Sequence, residues 1–496
     1  MNYKLAIRII GIISDFLAVA CFISLGLALD EDIKIVYMWA IMIAVLAGIG
    51  ISTILLKFLS KKVDVSTLNA KTGFVALGIC WVYASIIGAI PFMFYHIPGI
   101  ETFADAFFES ASAFSGTGAS LATNTDAIPD SLQIFRGISQ WLGGMGIVVL
   151  ITALLGKDES ISSPIFNAEM PGPSKGKLVS KSRVNARILY AIYIVITVAE
   201  FLFLYIGSLC GAGSGEGQHQ MTLFDCIFHS LTTTATGGFS TRSLSIGYYN
   251  CLYYEIVITV FMFICMTNFN LYFIIMKGGF KNAIKDEEFR TMMLLIIVNT
   301  FAIALTVFYT NTYSTFNDAM RYGTFQVVAT MSTTGYGTAN ILDWPLFCKV
   351  LLLGMMFIGG SAGSTSGGLK ISRFIMLCKS GFKGIRATAY PNRVISIKMN
   401  GKPVSEDLLV ATRNYFLTYT LIFIFSVGLI CLLPHGNNNF LDLSISVASC
   451  FNDIGPGVFG DLHWVSKVIL AFDMLAGRLE LYPILLLFYA RAWSRF

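Results

Sequence analysis

The sequence predicts an all-α polytopic membrane protein, and three observations carry that prediction. Of the 496 residues, 55% are hydrophobic and only 13% charged, with a mean hydropathy of +0.71. An ordinary soluble domain carries about 25% charged residues, so this chain lacks the polar surface to face water throughout. Ten long apolar runs divide the chain, each near or above the roughly 20 residues that a helix needs to cross a bilayer. Between them a short apolar segment ending in a glycine turn recurs four times. The same composition excludes disorder, collagen and coiled coil. A net charge of +5 spread over 496 residues provides no basic domain for nucleic acid.

The long runs lie at about 5–29, 36–58, 73–96, 131–155, 187–208, 251–276, 291–309, 346–377, 409–433 and 464–490. The first, Leu5 to Leu29, is too long for a signal-peptide core, and no A-x-A-like site precedes Asp30; it is expected to be a retained helix. With the second run it forms a leading pair over residues 1–72. The rest divides into four units, at 73–155, 156–276, 277–377 and 378–496. Each is a long run, a short segment and a second long run. The short segments, 102–116, 222–236, 319–334 and 439–453, are below crossing length and read as re-entrant.

Basic residues orient the chain. Segments 57–72, 156–187, 277–290 and 378–413 hold 21 Lys and Arg, whereas the opposite-side segments hold only Lys34 and Arg242. The positive-inside rule then puts both termini in the cytoplasm and the four short segments on the outer side. The ten Cys form no CxxC pair and mostly lie in apolar runs, which reads as scattered thiols rather than a disulfide or zinc framework.

Aligned on a glycine, the short segments share one register. Asp105 and Phe108 precede Gly118, Asp225 and Phe228 precede Gly238, and Asp442 and Ile445 precede Gly455, by 13 and 10 positions each time. The third copy keeps Phe325 ten positions before Gly335 but has Tyr322 in place of the acid. The three acids are expected to cap short helices or, alternatively, to form an outer acidic ring. All four units run in one orientation, so they enclose something on a common axis. An inverted-repeat carrier with a midplane site is not expected.

The turns say what is enclosed: Ser115-Gly116-Thr117-Gly118, Ala235-Thr236-Gly237-Gly238, Thr333-Thr334-Gly335-Tyr336-Gly337 and Asn452-Asp453-Ile454-Gly455. The third is one residue from the Thr-Val-Gly-Tyr-Gly of potassium-channel filters. Such a filter needs extended backbone whose carbonyls replace an ion's water shell, and glycine permits that geometry. The expected ion ligands are the carbonyls of Thr117, Gly118, Gly237, Gly238, Thr334, Gly335, Ile454 and Gly455. The short helices would aim their carbonyl ends at the centre and favour a cation there.

With these turns, the chain resembles the membrane subunit of the Trk/Ktr-type potassium transporters, in particular the TrkH kind with its leading helix pair. The resemblance covers essentially the whole chain and extends to Gly359–Gly368 and to Arg478. It implies K+ as the transported ion, with no organic cofactor in this chain. It also implies a homodimer, a cytoplasmic nucleotide-binding regulatory subunit of the TrkA type, and a prokaryotic inner-membrane location. In relatives a serine at the first-repeat glycine goes with sodium permeation, so glycine at all four positions favours potassium; a sodium-permeable or non-selective pathway is the alternative.

Gly359 to Gly368 is ten small residues at membrane depth, including Gly359, Gly360, Gly363, Gly367 and Gly368. Irregular backbone there is tolerated only inside protein or beside water. The resemblance makes it a gate under the filter; close helix packing is the other reading. Arg478 is expected either in the cavity below the filter, as a barrier to cations, or in a salt bridge with Asp473 or Glu480. Asp453 either attracts cations or caps a turn. Glu109 and His229 are expected to pack or bond behind the filter, and Asp15, Glu200 and Glu255 have no assigned role.

Gly455 to Gly460 matches GxGxxG, but it follows no strand and contains Pro456, so no dinucleotide site is expected. No Walker A motif occurs, and no cytoplasmic stretch is long enough for a Rossmann domain. An intramembrane hydrolase would need a nucleophile–base pair in the spans, and none is apparent.

Overall fold

The protein is described from a computed structural model, covering residues 3–59, 70–146 and 182–490 apart from 391, 394 and 435. The predicted basic segment 156–187 lies almost wholly outside the described residues, as do most of 57–72 and the end of the 131–155 run. The helices follow in the order the apolar runs dictate. The leading pair is α1 (Tyr3–Leu27) and α2 (Ile33–Leu59). The first repeat contains α3 (Ala70–Phe94), α4 (Phe103–Ser115) and α5 (Asp130–Gly144). The second contains α6 (Ser182–Leu209), α7 (Leu223–Thr234), α8 (Leu252–Met266) and α9 (Phe269–Met276). A short α10 (Phe280–Ile284) leads to the third, with α11 (Glu287–Tyr309), α12 (Phe316–Met331), α13 (Leu346–Ile358) and α14 (Ile371–Ala389). A two-stranded hairpin, β1 (Lys398–Met399) and β2 (Lys402–Pro403), precedes the fourth. That repeat has α15 (Glu406–Leu432), α16 (Phe440–Phe451), α17 (Trp464–Arg478) and α18 (Tyr482–Phe488).

Among the described residues, six helices are long and apolar enough to span a membrane: α1, α2, α3, α6, α11 and α15. The second crossing of each repeat is different. α8 and α9 meet at a 92° bend at Thr267–Asn268. α13 and α14 are separated by the 359–370 segment, and α17 and α18 by Leu479–Leu481, where Glu480 and Leu481 have positive φ. α5 stops at Gly144. The sequence suggested one interrupted crossing, at 359–368; the fold interrupts the second crossing in repeats two, three and four. At Thr267–Asn268 hydropathy is blind to the break, because Met266 and Phe269 on either side are apolar.

The short segments form α4, α7, α12 and α16, half-length helices starting on one face of the molecule. Thr102 and Asp105 cap α4 reciprocally, and Thr222 and Asp225 do the same for α7. The third copy corrects the sequence reading. α12 has 16 residues where its counterparts have 13, 12 and 12, and its first turn contains Asp318, which accepts from Thr315 Oγ1 at 2.7 Å. The acid is therefore present, a turn earlier than a count back from Gly335 suggests, because only the glycine end of the helix is held in register. Tyr322 instead stacks on Tyr313. Asp442 lies in the first turn of α16, but Asn439 makes no side-chain cap.

Packing closes the repeats into a ring. One apolar core joins α1 and α2 to repeats one and four, and a second joins repeats two and three. Two small clusters seal the other seams: Ala113, Phe228 and Phe239 between one and two, and Met356, Ile445, Ala448 and Ile454 between three and four. The outward faces of α6, α11 and α15 leave Val195, Phe203, Leu294, Phe301, Leu417 and Phe425 exposed, as lipid contact requires.

Candidate permeation site

Each short helix ends in the same way. The residue before the glycine donates its N–H to a carbonyl five positions back: Thr117 to Ser112 at 3.0 Å, Gly237 to Thr232 at 2.8 Å, Thr334 to Ala329 at 3.0 Å, and Ile454 to Ser449 at 2.9 Å. These bonds satisfy carbonyls that a helix C-terminus leaves free. They also impose one dihedral pattern. Gly116, Thr236, Thr333 and Asp453 have φ of 81°, 54°, 58° and 56°, and the glycines Gly118, Gly238, Gly335 and Gly455 have φ of 78°, 72°, 73° and 115°. Left-handed residues at every second position undo the carbonyl alternation of an ordinary strand.

The four turns meet in cyclic order. A Cβ on Gly118 would fall on the Gly237 carbonyl oxygen, one on Gly238 on that of Thr334, one on Gly335 on that of Ile454, and one on Gly455 within 2.6 Å of that of Thr117. All eight residues expected at the ion path are thus brought together in one closed ring. The surroundings brace it. Tyr336 reaches from turn three to Thr232 Oγ1 at 2.6 Å, Gln140 Nε2 donates to the Gly237 carbonyl at 2.6 Å, and Thr117 Oγ1 donates to Asp453 Oδ1 at 3.0 Å. Asp453 is buried beneath the ring, and its Oδ2 has no hydrogen-bond partner among the described residues.

The 359–370 segment crosses directly under the ring. Gly367 N–H donates to Thr333 Oγ1 at 2.7 Å, and a Cβ on Gly367 would meet the Asn452 carbonyl. Gly359, Gly363 and Gly368 have φ of 69°, 77° and 78°. The backbone of Gly359 packs on the Gly367 carbonyl, so the segment doubles back on itself, and Gly360 faces Ser366. Two of its anchors come from repeat two, Ser361 N–H to the Met266 carbonyl at 2.9 Å and Phe269 N–H to the Gly363 carbonyl at 3.1 Å, and a third from α11 of its own repeat, Ala362 N–H to Glu288 Oε1 at 2.6 Å.

Arg478 lies at the same level. Its Nη1 donates to the Thr365 carbonyl at 2.6 Å, and its Nη2 to the Gly143 carbonyl at 2.7 Å and to that of Gly144. It thus joins the segment to the end of α5. Neither acid near it in sequence is its hydrogen-bonded partner: Glu480 holds Arg373 at 2.6 Å, and Asp473 accepts from Ser426 at 3.0 Å. A cavity of about 50 Å³ lies alongside, lined by Gly144, Gly363, Ser366, Lys370 and Arg478 among others.

Sequence reasoning missed Glu288 and Gln140, which stand in no motif and act on backbone distant in sequence, and it placed Thr236 and Thr333 in the turns without their left-handed dihedrals. Glu255, unassigned from sequence, pairs with Arg321 at 2.6 Å near the N-terminal ends of α8 and α12.

Four like repeats around one axis, with a closed ring of backbone and a segment of small residues below it, fit the class of membrane transport proteins. The comparisons give the family. Residues 38–495 match the model of the TrkH cation transport proteins. The chain is 36% identical over 438 residues to the Trk system potassium uptake protein TrkH of Salmonella typhimurium, covering 86% of each. It is 30% identical over 434 residues to the Trk system potassium uptake protein TrkG of Escherichia coli, again covering 86% of each. The fold is similar over the full length of both chains to the crystal structure of the potassium transporter TrkH from Vibrio parahaemolyticus, with a TM-score of 0.83 and 29% identity. The chain belongs to the TrkH family of cation transport proteins, a family of transporters and not of enzymes.

Proposed function

We propose that the chain is the membrane subunit of a potassium uptake system. K+ loses its water in the ring formed by Thr117–Gly118, Gly237–Gly238, Thr334–Gly335 and Ile454–Gly455, then passes a gate made by residues 359–368 and Arg478. The observation that carries this reading is the cyclic closure of the four glycine turns, each against the carbonyl of the next repeat. A ring of carbonyls replaces the hydration shell of a monovalent cation, and the half-helices behind it add their negative ends. The segment below fits a closed gate: it bonds to Thr333 in the ring, while Arg478 puts a positive charge on the exit.

The subunit works as a homodimer in a prokaryotic inner membrane, with both termini in the cytoplasm and a nucleotide-binding regulatory partner on that side. The partner's docking surfaces are the basic segments 156–187 and 378–402. Part of the second is already neutralised, since Lys383 pairs with Glu406 at 2.5 Å and Lys379 with Glu287.

The test is rescue of growth at limiting potassium in a strain lacking its own uptake systems. The chain should rescue and Gly335→Ser should not, because a Cβ there collides with the Ile454 carbonyl. Equal rescue by the variant rejects the filter. Fluxes under opposed potassium and sodium gradients separate this reading from a sodium-permeable pathway.

A further inference from the structure

One feature of the half-helices is repeated four times with four different side chains. Glu109, His229, Gln326 and Ser446 each stand nine positions before their filter glycine, and all are buried. Each bonds to the chain two or three residues beyond that glycine. Glu109 Oε1 accepts from Ser120 Oγ at 2.6 Å and from Leu121 N–H at 2.5 Å. His229 Nδ1–H donates to the Asp225 carbonyl at 2.8 Å, which leaves Nε2 to accept from Ser240 Oγ at 3.1 Å. Gln326 Nε2 donates to Thr338 Oγ1 at 3.4 Å, and Ser446 Oγ accepts from Val458 N–H at 2.8 Å.

We propose that these four residues are specificity-determining positioning residues, struts that hold the outer limb of each filter turn to its half-helix and thereby fix the width of the ring. The proposal rests on the filter reading above. Each glycine then lies between two anchors. On the inner side is the bond reaching five residues back, and on the outer side the strut. A ring tethered on both sides resists contracting around a cation smaller than K+. An acid, an imidazole, an amide and a hydroxyl occupy one register, so the shared property is a hydrogen bond of fixed reach and not a charge. The first strut is the firmest, since Arg136 sits 3.7 Å from Glu109 Oε2 and bonds Ser120 Oγ at 3.3 Å. Gln326, with the longest contact, is the weakest.

The experiment measures K+ and Na+ flux of the full chain in proteoliposomes. His229→Leu and Ser446→Ala should each lower the K+/Na+ ratio about fivefold, the factor matching one lost hydrogen bond. His229→Gln, which installs the group that repeat three uses, should keep the ratio within about twofold of the original, less than half the effect of a lost bond. Gln326→Leu should have the smallest effect of the truncations. An unchanged ratio in His229→Leu and Ser446→Ala, or a fall of both fluxes at constant ratio, overturns the proposal. Should His229→Leu fail to fold, Ser446→Ala decides, because removing one hydroxyl perturbs packing little. Gly335→Ser separates the two readings. If it alters the ratio while the strut variants do not, only the struts fail; if it too leaves the ratio unchanged, the filter reading itself fails.

Discussion

Thr236, Thr333 and Asp453 hold backbone dihedrals that an L side chain resists, at a cost of order 1–3 kcal/mol each. Such conformations persist only where the surroundings over-determine them, and here the N–H of the next residue is tied into its half-helix in every repeat. Arg478 is over-determined in a different way, by carbonyls of two separate elements. The sequence left it between a barrier and a salt bridge; among the described residues its hydrogen bonds go to backbone and not to a carboxylate. Arg478→Ala should therefore raise cation flux. Lowering a barrier by about 1.4 kcal/mol gives a tenfold rise, readable by stopped-flow in vesicles. A well-expressed variant with slower flux would mark the arginine as structural.

At the scale of elements, the interrupted second crossings matter most. Where a membrane helix breaks, its freed carbonyls and N–H groups need partners inside the protein. Here the broken ends satisfy one another: the 359–370 segment bonds to Met266 and Phe269 at the α8–α9 bend, and Arg478 closes the end of α5. Glu288, in the first turn of α11, accepts from both Ala362 N–H and Ser372 N–H at the two ends of the segment. Glu288→Ala strands both donors, and each unsatisfied buried group costs about 1–3 kcal/mol. The segment should loosen, with faster hydrogen exchange over 361–372 and higher flux, in the same direction as deletion of 359–368. Lower flux from the folded deletion variant would count against a gate.

For the whole molecule, the four seams carry unequal apolar surface. The leading pair enlarges the core of repeats one and four, repeats two and three share another, and the remaining seams are small clusters. The ring lies where these four bodies meet, so its width depends on packing throughout the molecule. Orientation is also a property of the whole chain. The excess of 21 basic residues over 2 predicts that tags at both ends are reached by protease only from the cytoplasmic side. Protection of either tag in inverted membrane vesicles would contradict it.

Composition and the spacing of apolar runs were enough to determine a membrane protein, its leading helix pair, and four units in one orientation, because bilayer thickness sets span length directly. The positions of Gly118, Gly238, Gly335 and Gly455 were legible too, since few residues tolerate their dihedrals. Asp318 was not, because helix length between a fixed glycine end and a free cap leaves no mark in a register counted from the glycine. Nor were the breaks at Thr267–Asn268 and at Leu479–Leu481, since hydropathy records side chains while a break is a backbone event. What only the tertiary structure decided is which carbonyl faces which glycine, and what holds the segment beneath. Those contacts join residues up to several hundred positions apart, such as Thr117 with Asp453 and Arg478 with Gly143, and they exist only once the four repeats have closed on a common axis.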